Sequence, residues 1–197
     1  RFHYIEDVLD QIEEQSQGRI KFFRHYQEPI KSSEGLTALG RGTIDMLVAY
    51  PVYYSGRIAI GDWQQMPANF RGPEDCYELA VIGKVAEIMD KIYREKANAV
   101  YLGLNPIAPY NFQVAKRSRK IREFSDFKGL KIRASGGAAS LAVEAIGAAP
   151  VQTVSGEYYE AMQRGLIDAG LMTTYSLDQY QIWEVADQVV NPPLIGY

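Results

Sequence analysis

The stretch Leu130-Lys131-Ile132-Arg133-Ala134-Ser135-Gly136-Gly137, followed on to Met172, decides the fold. Lys131 to Ala134 predicts a short strand. Ser135-Gly136-Gly137 opens a helix through Ile146, which Gly147 closes. Pro150 to Val154 predicts a second strand, Ser155 caps a helix through Arg164, and Ile167 to Met172 predicts a third strand. Strands alternating with helices imply parallel βαβ units and an α/β fold.

An internal repeat carries the pattern upstream. Ser32-Ser33-Glu34-Gly35-Leu36-Thr37-Ala38-Leu39-Gly40-Arg41-Gly42-Thr43-Ile44-Asp45 aligns without gaps on Ser155-Gly156-Glu157-Tyr158-Tyr159-Glu160-Ala161-Met162-Gln163-Arg164-Gly165-Leu166-Ile167-Asp168. Ser suits a helix cap, Glu the first turn, Arg the last turn and Gly a left-handed stop. The first copy begins at its helix, so its first strand is expected upstream of Arg1. Asp45 and Asp168 hold equivalent positions early in strands and read as structural.

The remaining elements follow from periodicity. Ile5, Val8, Leu9 and Ile12 predict an amphipathic helix that Gly18 stops. Residues 19–26 and 99–104 predict strands, 43–50 a buried parallel strand, and 111–116 a further strand. One long helix is expected over 74–96, with ridges Leu79, Ile82, Ala86, Met89, Tyr93 and Val81, Val85, Ile88, Ile92. Tyr175 to Ala186 predicts the last helix. Residues 51–73 form a long connection rich in Pro and Gly. Two α/β lobes result, 1–112 and 113–197, with a cleft between them. In open α/β sheets ligands sit beyond the carboxyl ends of strands. The positions to examine are therefore Tyr50 to Tyr54, Asn105 to Asn111, Arg133 to Gly137 and Met172 to Tyr175.

Composition removes several function classes. A net charge of −3 gives no global pull toward nucleic acid or an anionic membrane. The cationic run Lys116, Arg117, Arg119, Lys120 and Arg122 reads as a solvated face. No apolar run is long enough to span a bilayer, so no direct membrane insertion is expected. The single cysteine, Cys76, excludes an intramolecular disulfide and reads as a small helix or core residue. Cys76, His3 and His25 are scattered, so no metal or cofactor site is expected.

At Phe127-Lys128-Gly129-Leu130-Lys131-Ile132-Arg133 the chain resembles the solute-binding receptors of tripartite ATP-independent periplasmic (TRAP) transporters, the DctP family. Leu39 to Met46, Ala145 to Val151, Glu157 to Asp168 and Trp183 to Asp187 resemble further family segments. The likeness is weak over 51–73 and strong over 127–170. It implies a two-lobed receptor of the type II periplasmic-binding-protein fold, each lobe a mainly parallel sheet flanked by helices. It also implies a periplasmic monomer that hands a small organic acid to membrane permease subunits, without nucleic acid. Measured against such a receptor, a first strand and a C-terminal region with a lobe-spanning helix are expected beyond this chain.

The resemblance makes Arg133 the partner of the substrate carboxylate. A guanidinium suits that role because its planar fork matches a carboxylate in two parallel hydrogen bonds. Ser135 to Gly137 follow at a helix start, where free N–H groups favour an anion. Two positions depart from the family, which often has an arginine where Tyr110 stands and an asparagine where Met172 stands. Tyr50, Tyr53, Tyr54, Tyr110 and Tyr175 offer apolar faces with hydroxyls instead, suited to an aromatic or partly apolar monocarboxylate. The expected ligand-binding residues are Arg133, Tyr110, Tyr50, Tyr53, Met172, Thr173, Tyr175 and Ser135, with Trp63, Gln64 and Gln65 flanking the cleft. An α/β enzyme is the main alternative, yet no nucleophile elbow, phosphate loop or dinucleotide fingerprint is present. A ligand-sensing domain of a regulator would need a helix-turn-helix segment, and none is evident.

Overall fold

The sheet grows from the stretch around Arg133. The computed structural model describes residues 3–25, 30–65, 73–104 and 110–195. Its strands are β1 (Tyr110–Ala115), β2 (Lys131–Ala134), β3 (Ala149–Gln152), β4 (Ala169–Thr173) and β5 (Ala186–Ile195). They stand in the order β3-β2-β4-β1-β5. β2 pairs in parallel with β3 and β4, and β1 lies antiparallel between β4 and β5. Four of the five strands therefore point the same way. With its flanking helices this is the α/β class that the alternating pattern calls for.

Alternation along the strands gives the sheet two different faces. Phe112, Val114, Ile132, Ala134, Ala169 and Leu171 face one way. They pack with Phe127 and with Ala139, Ala142 and Val143 of the helix Gly137–Ala145. On the other side Met172 packs with Tyr158, Ala161 and Met162 of the helix Tyr158–Arg164, and with Ile167 and Ile182. A third cluster, within residues 36–99, gathers Leu36, Tyr54, Ile58, Trp63, Met89 and Tyr93.

The helices in chain order are α1 (His3–Gln15), α2 (Gly35–Gly40), α3 (Pro73–Val81), α4 (Val85–Ala97), α5 (Gly137–Ala145), α6 (Tyr158–Arg164) and α7 (Ser176–Gln179). The chain forms two compact units, 1–31 and 32–197. In the first, α1 ends at Gly18 with φ +74. Arg24 then pairs with Asp10 and Glu13 of α1. In the second, Gly165 stops α6 with φ +78 and Gly147 follows α5 with φ +79.

Several expectations are corrected. The runs 19–25, 43–50 and 99–104 form no ladder among the described residues. A parallel strand is buried on both faces, whereas Met46, Val48, Val100 and Leu102 are exposed. The helix expected over 74–96 is two helices, because the chain turns at Gly83 and Lys84 takes φ +59. Of the two ridges, Met89 and Tyr93 are buried, while Leu79, Val81, Ile82 and Ile88 are exposed. The last helix is only α7 and a 3-10 turn at Ile182–Glu184, after which β5 begins. The two prolines of β5 are tolerated because it is an edge strand. Neither Ser32, Ser33 nor Ser155 caps a helix through its side chain. The side chains of His3, Gln64, Gln65 and Cys76, and residues 26, 66–72 and 105–109, lie outside the described residues.

Lys116, Arg117, Arg119 and Arg122 of the cationic run are exposed, as a solvated face requires, and three members of the run also bond back to the chain. Arg117 donates to the carbonyls of Gln163 and Met162 at the end of α6. Arg119 donates to the carbonyls of Asp126 and Lys128, and Lys120 pairs with Asp187.

The turn Pro51–Tyr54 reaches the start of α5, where a Cβ on Gly136 would overlap Val52 Cγ2. The backbone of Gly136 is extended, so the obstacle is steric. Gly136→Ala should destabilise the protein by about 1–3 kcal/mol. Adding Val52→Ala should give less loss than the two single changes summed. Strict additivity of the denaturation free energies would reject this contact.

Candidate functional site

Arg133 lies at the centre of β2, opposite Val151 on one side and Gly170 on the other. Gly170 in turn faces Gln113 of β1. Alternation turns Arg133, Gln113 and Met172 away from the face that α5 covers and toward α6. Arg133 and Gln113 have no exposed surface at all.

The guanidinium is held by neutral groups. Nε donates to Thr153 O at 3.2 Å, and Nη1 donates to Leu171 O at 2.9 Å and to Met172 Sδ at 2.8 Å. Nη2 reaches Ser155 Oγ at 3.4 Å. The ring of Tyr158 lies beneath it, with Cζ 5.8 Å from the ring centre. No carboxylate pairs with Arg133 among the described residues. A buried cation without a counter-charge carries a desolvation cost of several kcal/mol.

Three further features adjoin it. Tyr53 Oη lies 2.9 Å from Ser155 Oγ and accepts from Ser155 N at 3.3 Å, which ties the turn 51–54 to the second half of the chain. Thr153 Oγ1 and Thr173 Oγ1 are buried with no hydrogen-bond partner among the described residues. Beneath, Gln113 Nε2 donates to Thr173 O at 2.8 Å and Ser176 Oγ donates to the same carbonyl at 2.6 Å.

Tyrosines complete the surroundings. Tyr110, buried at the start of β1, is directly opposite Thr173. Burial pushes its phenol up to about 12, the nearby Arg133 charge opposes this, and Tyr53, Tyr175 and Tyr180 add to the rise. Tyr50 is raised further, by burial and then by Tyr175, Tyr180, Tyr110 and Tyr53. The rings of Tyr50 and Tyr53 stand 5.9 Å apart. The Tyr50 and Tyr110 phenols stay protonated at neutral pH and present dipoles, not charges.

Most expected ligand residues therefore meet in one place: Arg133, Met172, Thr173, Tyr50, Tyr53, Tyr110 and Tyr175. Ser135 is half-buried just beyond β2. Tyr54 and Trp63 sit elsewhere, in the apolar cluster of residues 36–99. Sequence reasoning missed Thr153, Ser155, Tyr158 and Tyr180. The signal for Tyr180 was its spacing from Tyr175 across a short helix, and for Ser155 its place just after β3. Asp168 takes its structural role, accepting from Lys131 N at 2.9 Å. Among the described residues, no three His, Cys, Asp or Glu side chains gather to hold a metal ion.

The sequence profile of the bacterial extracellular solute-binding proteins of family 7, DctP, matches residues 2–195. This chain belongs to that family. A curated solute-binding protein from Albidiferax ferrireducens is 25% identical over 190 residues, which cover 94% of this chain and 54% of that protein. A TRAP periplasmic solute-binding protein from Rhodoferax ferrireducens, solved with malonate, superposes with a TM-score of 0.75 at 25% identity over 94% of this chain and 57% of that one. Another from Desulfovibrio salexigens, solved with orotic acid, gives 0.84 at 21% identity, covering 98% and 61%. This DctP chain thus spans about half the length of the curated relative.

The Tyr110 phenol supplies a pH test. Its folded value of about 12 exceeds the ordinary value near 10. Unfolded chain then loses a proton that folded chain keeps, so stability holds below about pH 10 and falls as pH rises toward 12. Tyr110→Phe should make that alkaline loss shallower by on the order of 2 kcal/mol. An alkaline unfolding curve that keeps its slope in the variant would contradict the buried environment.

Proposed function

We propose that this chain is the ligand-holding part of an extracytoplasmic TRAP receptor. It takes up a small organic monocarboxylate with an aromatic or partly apolar body and delivers it to the membrane permease. The buried guanidinium of Arg133, with which no carboxylate among the described residues pairs, carries the reading. A carboxylate is the group whose arrival would supply its missing charge and match its fork.

The charge count supports one carboxylate over two. Among the described residues Arg133 is the cation at the centre of the cluster, and the groups around it are carbonyls, hydroxyls, a thioether and phenols. The phenol ring faces suit an apolar or aromatic body, and their hydroxyls suit oxygen atoms on it. The orotic acid held by the Desulfovibrio protein, a ring bearing a carboxyl group, has this character.

Binding without chemistry suits the same inventory. No histidine, thiol or carboxylate stands beside Arg133 among the described residues, so the cluster has no evident general base or activated nucleophile. On this reading the protein is no enzyme, works in the periplasm as a monomer, and closes two lobes, 1–112 and 113–197, on its ligand. No helix among the described residues is long and apolar enough to cross a membrane.

A thermal-shift screen of the full-length protein against small carboxylic acids should find ligands among monoacids first. Arg133→Ala should then weaken the best of them by roughly 2–5 kcal/mol, the scale of a truncated buried charge pair. Undiminished calorimetric affinity in that variant would reject the assignment.

A further inference from the structure

One aromatic ring at the site does more than fill space. Tyr158 has no exposed surface, and its ring supports the Arg133 guanidinium at 5.8 Å. Its hydroxyl donates to Gln113 Oε1 at 3.2 Å, and Gln113 is anchored in turn to Thr173 O. The sheet leaves a gap for the ring: a Cβ on Gly170, between Arg133 and Gln113, would overlap the Tyr158 ring and hydroxyl. The ring is thereby fixed at its tip, beneath by the bare glycine, and above by the cation.

We infer that Tyr158 is a positioning residue for carboxylate capture, its ring face holding the Arg133 guanidinium in the orientation in which the fork meets the ligand. The inference rests on the reading of Arg133 as the ligand's partner. An aromatic face is negative and attracts a cation, most strongly where water is excluded. An aliphatic side chain could fill the same volume but would leave the charge to its few carbonyl contacts. Holding the fork in place before the ligand arrives removes an ordering cost from binding.

The test uses the full-length receptor with benzoate as the probe. The Arg133 Nε–Hε resonance is identified by its loss in Arg133→Lys. Tyr158→Phe should keep that resonance near its original place and hold the benzoate affinity within about twofold. Progressive fluorination of that ring weakens its negative face at nearly constant shape. The resonance should then move stepwise, its exchange with solvent should speed up, and benzoate affinity should fall roughly tenfold across the series. A flat response of the resonance across the series would overturn the inference, whether or not benzoate binds. Failure of the parent reading looks different: Arg133→Ala would keep the benzoate affinity while the resonance still followed the fluorinated rings.

Discussion

A guanidinium sealed from water, with no counter-ion among the described residues, is the constraint on which the rest of this structure depends. Arg133 is fully buried, yet its partners are two carbonyls, a thioether, a distant hydroxyl and a ring face. Each is a dipole or a polarisable surface, and none neutralises the charge. The desolvation cost of the arginine therefore falls on folding. On the proposed reading, a site arranged so leaves little reorganisation for the moment of binding, which is the physical content of preorganisation.

The fold makes this possible by lining up one row across the sheet. Val151, Arg133, Gly170 and Gln113 are successive partners on β3, β2, β4 and β1. The smallest residue sits between the two polar ones, and α6 closes over the row with Tyr158. The opposite face is mostly apolar and packs on α5. The other face sets its polar row beside a second apolar cluster around Met172 and Tyr158. The antiparallel entry of β1 places Tyr110 against Thr173, at the end of β4 where Arg133's partner Met172 lies. The tyrosines and the cation are brought together by strand register, not by one local motif.

What the sequence made legible follows the range of the interactions. The βαβαβ run from Lys131 to Met172 is legible because each helix is short, ends in a left-handed glycine and is followed at once by an apolar strand. Residues 43–50 and 99–104 are apolar enough to read as strands, but a ladder needs a neighbour, and local pattern says nothing of neighbours. The turn at Gly83 and Lys84 was visible as a glycine within the helical period, and the two apolar ridges overrode it. β5 was hidden because its prolines argue against a central strand, and only topology reveals that it is an edge. At the candidate site, the strand-end tyrosines stood out by position and type, and Arg133 by its position together with the family resemblance. Ser155 and Tyr158 were not, since a serine before a helix reads as a cap and an aromatic on a helix reads as core. Both descriptions are locally reasonable, and both lose to a charge that arrives from another strand.

The internal repeat shows how one scaffold position takes two uses. Gly35 in the first copy aligns with Tyr158 in the second. At Gly35 a Cβ would stand 2.9 Å from the hydroxyl of Tyr54, which bonds the carbonyl of Ser32. A phenol from elsewhere occupies the space that Tyr158 fills from its own helix. The first copy buries this position against Tyr54 and Leu47. The second turns it toward Arg133 and the Gln113 network. Helix and glycine stop are common to both copies because backbone geometry demands them. The charge is particular to one, because a buried cation is tolerable only where the surrounding dipoles have been arranged for it.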